Sequence, residues 1–156
     1  MLLSELLNTQ ALQPRLRGGT KREVLVELVE LLESAQGIRI KGEILSRVLR
    51  RESMMSTGIG NGVAIPHGKA RAVDRMVAAC GVAPSGIDFE SVDGEPATLF
   101  ILLVSPEAVG APHVRVLANI SRLLKEESVR EQLRTCANAD EFLSTLRLAE
   151  ARLITT

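Results

Sequence analysis

The segment ATLFILLV, residues 97–104, is an almost continuous apolar run. A strand with one face in water alternates apolar and polar residues, whereas a strand covered on both faces is apolar along its whole length. The run therefore predicts a buried strand at the centre of a sheet. Such a strand needs elements packed on both faces of its sheet, and the chain has helical patterns before and after the run.

Two helices are predicted before this strand. Thr20 and Glu23 have the spacing of a capping box, and Gly37 ends the first helix. A second helix is predicted from Lys41 to Arg51, with its basic end where the helix dipole favours positive charge. The apolar residues expected to face inward are Leu25, Leu28, Val29 and Leu32 in the first helix and Ile44, Leu45, Val48 and Leu49 in the second.

Two further strands are predicted between these helices and the central run. One is short, from Gly62 to Pro66, and the other is a small apolar segment from Met76 to Val82. The segment PSGIDFESVDGEP, residues 84–96, has the composition of turns.

Two helices are predicted after the central strand. One begins near Pro112, since proline is favoured at the first helical position, and runs to Glu127. The other is indicated by Asn138, with Glu141 three residues later. The whole order predicts a single α/β domain over residues 1–156, with helices flanking a central sheet. The inner positions are expected to be Leu117, Ile120, Ser121 and Leu124 in the third helix, and Phe142, Leu146 and Ala149 in the last.

The composition excludes several classes of protein. Lys and Arg number 19, as do Asp and Glu, so the chain lacks the basic excess of a nucleic-acid binder. Cys80 and Cys136 are expected to be free thiols in a reducing compartment. No apolar run approaches the roughly 20 residues of a membrane span, and the N-terminus lacks the features of a signal peptide. We therefore expect a cytoplasmic protein without direct membrane insertion.

The glycine-rich segment STGIGNGVAIPHGKA, residues 56–70, does not match the common nucleotide-binding motifs. The pattern GxGxxG would need glycine at Val63 or Ile65, and GxxxxGK[ST] would need glycine at Val63 and Ser or Thr in place of Ala70. The two histidines of the chain lack the spacing of zinc ligands, and no G-x-S-x-G serine motif is present. We expect no metal and no cofactor.

His67 can be interpreted as a nucleophile at the end of an extended segment. Pro66 disfavours helix at the residue before it, and Gly68 leaves room for another molecule to approach. Neutral imidazole is a nucleophile near pH 7, and its second nitrogen is commonly held by a backbone carbonyl. A surface or capping role is the plainer interpretation, and the residues alone leave both open.

A phosphoryl group on His67 would need cationic and hydrogen-bonding partners. Arg51 offers a bidentate guanidinium, and His113 offers one more hydrogen bond near the start of its helix. A surface charge and a polar helix-start residue are the plainer roles of these two side chains. Turn formation is likewise the usual role of clustered glycines. The further phosphate contacts expected are the hydroxyls of Ser56 and Thr57 and the backbone N–H groups of Gly58, Gly60, Asn61 and Gly62.

The segment RRESMMSTGIGNGVAIPHGKA, residues 50–70, closely resembles the active-site sequence of the type-2 enzyme IIA domains. These domains belong to the fructose/mannitol class of the bacterial phosphoenolpyruvate:sugar phosphotransferase system, which includes the nitrogen-regulatory enzyme IIA. The likeness continues through GIDFESVDGEPATLFILLVSP, residues 86–106, and HVRVLANISRLLKEESVREQL, residues 113–133. It covers nearly the whole chain.

The resemblance implies a mixed β-sheet flanked by helices and no cofactor. It also implies that His67 accepts a phosphoryl group from a histidine phosphocarrier protein and passes it on. Arg51 matches the family's phosphate-binding arginine and His113 its supporting histidine. Family members usually have a polar, often acidic loop before the second histidine, whereas here Ala111 and Pro112 precede His113 directly. The resemblance therefore fixes the geometry of His113 least.

Met54 and Met55 can be expected either in the core or at the surface. Methionines commonly fill irregular gaps in a core, which is the first expectation for both. In a phosphocarrier they would instead form, with Ile59, an apolar rim around His67 on which a carrier protein docks transiently.

Two functions remain open for such a domain. In sugar transport, the phosphoryl group passes to a cysteine of a separate enzyme IIB. In regulation, phosphorylation of His67 changes the charge of a surface that binds a target protein. The chain has no IIB-like cysteine loop and no membrane segment, which favours the regulatory, nitrogen-type function.

Overall fold

The computed structural model of the chain describes residues 1–108 and 111–154. Its helices are α1 (Lys21–Gln36), α2 (Glu43–Met54), α3 (Ala111–Leu124), α4 (Glu127–Arg134) and α5 (Ala139–Leu153). Its strands are β1 (Leu12–Gln13), β2 (Gly58–Gly60), β3 (Val63–Ala64), β4 (His67–Lys69), β5 (Val77–Ile87) and β6 (Ala97–Ser105). Two short 3₁₀ turns, Leu3–Leu6 and Thr9–Ala11, precede β1.

The strands form one mixed sheet in the order β1-β5-β6-β3-β2, with β4 also paired to β6. β5 is antiparallel to β6, whereas β3 and β4 run parallel to it, one after the other. β6 is buried along nearly its whole length, as its apolar sequence predicts. The mixed α/β architecture is therefore confirmed, and β6 is its central strand.

The caps of α1 and α5 are those that the sequence predicts. The side chain of Thr20 accepts a hydrogen bond from the backbone N–H of Glu23, and that of Asn138 accepts one from Glu141. Gly37 closes α1 at a φ of +66°, in the left-handed region that glycine enters without strain. Each N-cap satisfies a backbone N–H that the first turn of a helix leaves without a partner.

Two elements have bounds that differ from the prediction. α2 continues beyond Arg51 to Met54, so Arg51 lies in its last turn. β5 continues to Ile87, so the first part of the segment expected to be turns is a strand. The pairing of β5 with β6 shifts register between Val82 and Ile87, where Gly86 has a φ of +81°. This irregularity accommodates the turn-forming residues within a strand.

The strand expected from Gly62 to Pro66 is reduced to β3 and is flanked by β2 and β4, which sequence reasoning missed. Strands this short carry no readable alternation of apolar and polar residues. β3 and β4 exist because β6 pairs with them, and their own sequence gives no signal of it.

The helix after β6 is also shorter than predicted. α3 ends at Leu124 rather than at Glu127, and α4, which was not predicted, follows it. Arg130 of α4 donates hydrogen bonds from Nη1 to the backbone oxygens of Leu124 (2.7 Å) and Lys125 (3.0 Å). These bonds satisfy carbonyl groups that the end of α3 leaves without a helical partner.

The buried stripe of α3 is rotated relative to the prediction. Ser121 is exposed, and Leu117 is only half-buried. The inward positions are Val116, Ile120, Leu123 and Leu124. These four positions follow the helical period at i, i+4, i+7 and i+8. All four residues are apolar, whereas the predicted stripe includes the polar Ser121.

Both cysteines are free thiols inside the fold, and burial raises the pKa of Cys80 and of Cys136. Neither thiol is therefore primed as a nucleophile. Among the described residues, no helix has the length and apolar character needed to cross a bilayer.

Candidate functional site

His67 begins β4 and is held through one ring nitrogen. Its Nδ1 lies 2.9 Å from the backbone oxygen of Ile65. A carbonyl oxygen only accepts hydrogen bonds, so Nδ1 carries the proton and Nε2 keeps its lone pair. The backbone around the ring is fixed as well, because the oxygen of Pro66 accepts a hydrogen bond from Leu103 of β6 at 3.0 Å.

Gly68 makes room for α2, not for an incoming molecule as the sequence suggested. A Cβ atom on Gly68 would lie 3.3 Å from Cγ2 of Val48 and 3.4 Å from the backbone carbon of Arg47. The absence of a side chain therefore lets α2 pack closely on β4. This approach brings the C-terminal end of α2, with Arg51, beside His67.

Arg51 is half-buried and tied to its own loop. Its Nη1 donates a hydrogen bond to the backbone oxygen of Met55 at 2.8 Å. Burial is the main cause that lowers the pKa of His67; the bond to Ile65 opposes it, and the positive charge of Arg51 adds to the lowering. His67 is therefore neutral near pH 7, with an unprotonated Nε2.

His113, near the start of α3, lies beside His67. The two ring centroids are 5.5 Å apart and the ring planes meet at 61°. Nδ1 of His113 is 2.7 Å from Oγ of Ser105, the last residue of β6. Burial lowers the pKa of His113 most, and the positive charges of His67, when it is protonated, and of Lys69 lower it further. The structure thus brings His67, His113 and Arg51 together, as the sequence predicts.

Glu107, two residues after the end of β6, is bound to α2. Glu107 accepts a hydrogen bond from Nη2 of Arg47 at 2.7 Å, and Arg71 lies 3.6 Å from its other oxygen. Glu107 therefore connects the end of β6 to α2. The helix expected near Pro112 begins at Ala111.

The predicted phosphate contacts make hydrogen bonds within the chain. Ser56 Oγ donates to the backbone oxygen of Phe89 at 2.6 Å and accepts from the N–H of Gly58 at 3.1 Å. The N–H of Asn61 donates to Asp93 at 3.0 Å. These groups hold the loop in place, and their contact with a phosphoryl group stays a prediction.

Gly60, Asn61 and Gly62 form the turn between β2 and β3. All three have positive φ angles, of +95°, +57° and +77°. The backbone oxygen of Gly62 accepts hydrogen bonds from the N–H groups of Thr98 and Leu99. The plain interpretation of the glycines as turn formers therefore holds at Gly60 and Gly62.

Glu52 is a buried residue of the site region that sequence reasoning missed. Its carboxylate accepts hydrogen bonds from the N–H (2.8 Å) and the hydroxyl (2.6 Å) of Thr57, and Lys21 is 3.0 Å away. Glu52 continues the buried stripe of α2, since it follows Ile44 and Val48 at intervals of four residues. A carboxylate at an inward position of an apolar stripe indicates that the fold supplies it with hydrogen-bonding partners.

Met54 and Met55 do not fill the core. They are 73% and 71% exposed, and Ile59 is 47% exposed. The expectation of core methionines was wrong because α2 runs to Met54 and turns both side chains outward. The three residues are apolar groups at the surface, as a docking rim would require, and that role stays a prediction.

The described residues contain no group of three His, Cys, Asp or Glu side chains arranged to hold a metal ion. The region instead holds the neutral imidazole of His67 near a guanidinium and a second imidazole, with Lys69 exposed beside them. Such a site is suited to an anionic group that becomes bonded to nitrogen.

Residues 5–148 match the family model described as "Phosphoenolpyruvate-dependent sugar phosphotransferase system, EIIA 2". The chain belongs to this family. The EIIA 2 family has both nitrogen-regulatory and sugar-specific members among the relatives of the chain. A nitrogen regulatory protein of Bradyrhizobium diazoefficiens is 34% identical over 151 residues, covering 97% of this chain and 98% of that protein.

A second relative is sugar-specific. The fructose-specific EIIABC component of Bacillus subtilis is 33% identical over 146 residues, which cover 94% of this chain and 23% of that protein. Among solved structures, the nitrogen regulatory protein IIA-Ntr of Neisseria meningitidis has a TM-score of 0.80 at 28% identity, covering 92% of this chain and 97% of that one. The EIIA 2 membership implies a component of the phosphotransferase system.

Proposed function

We propose that the chain is a phosphocarrier, in which Nε2 of His67 accepts a phosphoryl group from a histidine phosphocarrier protein. The observation that carries this proposal is the bond from His67 Nδ1 to the oxygen of Ile65, which leaves Nε2 as the nucleophile. Membership of the EIIA 2 family supports the same reaction.

The transfer exchanges one phosphorus–nitrogen bond for another. The bond to the donor histidine breaks and returns its electron pair to that nitrogen, while the lone pair of His67 Nε2 forms the new bond. The proton on Nδ1 stays in place. The positive charge that develops on the ring is met by the oxygen of Ile65, which is already oriented for it.

Arg51 and His113 are the proposed partners of the phosphoryl oxygens. Arg51 is anchored through Nη1, and its remaining N–H groups have no partner among residues 1–108 and 113–154, so they can bind an anion. His113 stands beside the acceptor ring. Both then act mainly by position and charge, as phosphoryl transfer requires.

The proposal is tested by intact-mass measurement after incubation with phosphoenolpyruvate, enzyme I and a histidine phosphocarrier protein. We expect one acid-labile phosphoryl group on the wild type and none on His67→Ala, with equal midpoints of unfolding for the two proteins. A labelled His67→Ala protein would show that another residue is the acceptor. A wild type that neither a sugar-type nor a nitrogen-type donor pair labels would refute the proposal.

We further propose that the nitrogen-type function is the one served. The nitrogen regulatory relative matches over almost its whole length and that of this chain. The fructose-specific relative supports the second candidate, a sugar-transport EIIA that passes the group to an enzyme IIB cysteine.

The rates of labelling by the two donor pairs separate these candidates. The nitrogen-type function predicts faster labelling by the nitrogen-type pair and no passage to a fructose-type enzyme IIB. Rapid loss of the phosphoryl group to the IIB cysteine would establish the sugar-transport function instead.

A further inference from the structure

The hydroxyl that contacts the second histidine is enclosed by the fold. Ser105 is fully buried, and its Oγ lies 2.7 Å from Nδ1 of His113. Its backbone is fixed by the sheet, because Ser105 pairs with Lys69 of β4 and its oxygen accepts a hydrogen bond from Ala70 at 2.9 Å. The hydroxyl therefore has a rigid position relative to both β4 and α3.

Burial decides the direction of this hydrogen bond. Within residues 1–108 and 113–154, Nδ1 of His113 is the only hydrogen-bond partner of Ser105 Oγ. If Nδ1 were the donor, the buried hydroxyl hydrogen would have no acceptor among those residues, and folded proteins rarely leave a buried donor without one. Ser105 is therefore the donor, and Nδ1 of His113 is the unprotonated nitrogen.

We infer that Ser105 is a positioning residue that sets the tautomer of His113, so that its Nε2–H donates a hydrogen bond to a phosphoryl group on His67. This inference rests on the proposed function. The two neighbouring rings carry opposite tautomers: His67 has its proton on Nδ1 and a free lone pair on Nε2, whereas His113 has the reverse.

The opposite tautomers suit the two roles. The acceptor ring needs an electron pair at Nε2, and the supporting ring needs a hydrogen there, because a lone pair would repel the phosphoryl oxygens. Nε2 is the one nitrogen of His113 that Ser105 leaves available. The buried hydroxyl of Ser105 thus leaves the neutral ring of His113 with an N–H donor at Nε2, which an anion needs.

Nitrogen-15 spectra of the imidazole rings test the tautomers directly. The chain contains two histidines, so His113→Gln is sufficient to assign both rings. At about pH 8 both rings are neutral. We expect the wild type to show a protonated Nδ1 on His67 and a protonated Nε2 on His113. A wild-type His113 that is protonated at Nδ1 would overturn the inference without any variant being needed.

Variants at Ser105 test its effect on transfer. Ser105→Ala should mix the tautomers of His113 and slow phosphoryl transfer about tenfold, the effect of one lost hydrogen bond, with the KM for the donor protein unchanged. Ser105→Thr keeps a hydroxyl and should restore the tautomer and most of the rate. Ser121→Ala, on the exposed face of α3, is the matched control and should behave as wild type.

Two results would contradict the role given to Ser105. One is a Ser105→Ala protein with the wild-type tautomer and rate, and the other is a rate that falls while the tautomer of His113 stays the same. The tautomers are measured on unphosphorylated protein. A wild type with the expected tautomers that takes up no phosphoryl group would therefore refute the proposed function, and with it this role, in a distinguishable way.

Discussion

At the scale of a single residue, the guanidinium of Arg51 can form several hydrogen bonds at once. Within the part of the chain that the structure describes, one of its N–H groups bonds the backbone oxygen of Met55 and the others have no partner there, so they can bind an anion. Lysine has a single nitrogen on a flexible stem and cannot hold the loop and a phosphoryl group with one rigid fork. The residue is therefore suited to two tasks at once.

We expect Arg51→Lys to slow phosphoryl transfer to His67 by about 10- to 100-fold, since hydrogen bonds to charged groups contribute about 1.5–3 kcal/mol. The midpoint of unfolding should change little, because the side chain is only half-buried. Rapid-quench labelling measures the rate. Arg50→Lys, at the exposed neighbouring position, is the control. Equal transfer rates for the two variants would show that Arg51 does not take part in the transfer.

At the scale of elements, a chain of hydrogen bonds connects the end of α2 to the ring of His67. Glu52 holds the N–H and hydroxyl of Thr57, and the backbone oxygen of Thr57 accepts a hydrogen bond from Ile65 at 3.0 Å. The oxygen of Ile65 in turn holds His67. A buried carboxylate, neutralised by Lys21, thus fixes the loop that orients the ring.

Thr57→Val removes one of these bonds while preserving the shape of the side chain. We expect a loss of about 1.5–3 kcal/mol in the free energy of unfolding, because a buried carboxylate loses a donor. Urea unfolding at neutral pH measures it. Thr135→Val is the matched control, since Thr135 is exposed and its hydroxyl bonds only backbone oxygens. A Thr57→Val protein as stable as the control would show that the contact contributes nothing.

At the scale of the whole molecule, the two histidines make stability depend on pH. Burial is the largest cause that lowers the pKa of each below its ordinary value. The unfolded chain therefore binds protons more readily than the folded one as the pH falls below about 6.5. As the pH falls below about 6.5, the free energy of unfolding should decrease until the pH reaches the lowered pKa values of the folded state. Above about pH 7 the two histidines should cause no change in the free energy of unfolding.

The double variant His67→Asn, His113→Asn removes both titrating rings. We expect its free energy of unfolding to fall less steeply than that of the wild type between about pH 6.5 and about pH 5. Urea unfolding at a series of pH values gives the two slopes. Parallel slopes would mean that other groups account for the dependence in this range.

The sequence by itself determined the parts of the protein that depend on local patterns. The apolar run of β6 is read correctly because a strand buried on both faces has no polar positions. The caps Thr20 and Asn138 mark their helices because each bonds a residue three positions away. His67 and Arg51 could be selected as candidates because imidazole and guanidinium have specific chemistry, and the EIIA 2 likeness of the surrounding segments is confirmed.

Only the tertiary structure decided what depends on residues distant in sequence. β4 is a strand because β6 pairs with it, and Met54 and Met55 are exposed because α2 ends where it does. No local sequence pattern indicates the role inferred for Ser105, because that role depends on the His113 ring, which only folding brings to its hydroxyl. Hydrogen bonds and burial act through space, so the tautomers and partners of the site are set only when β6, α2 and α3 pack together.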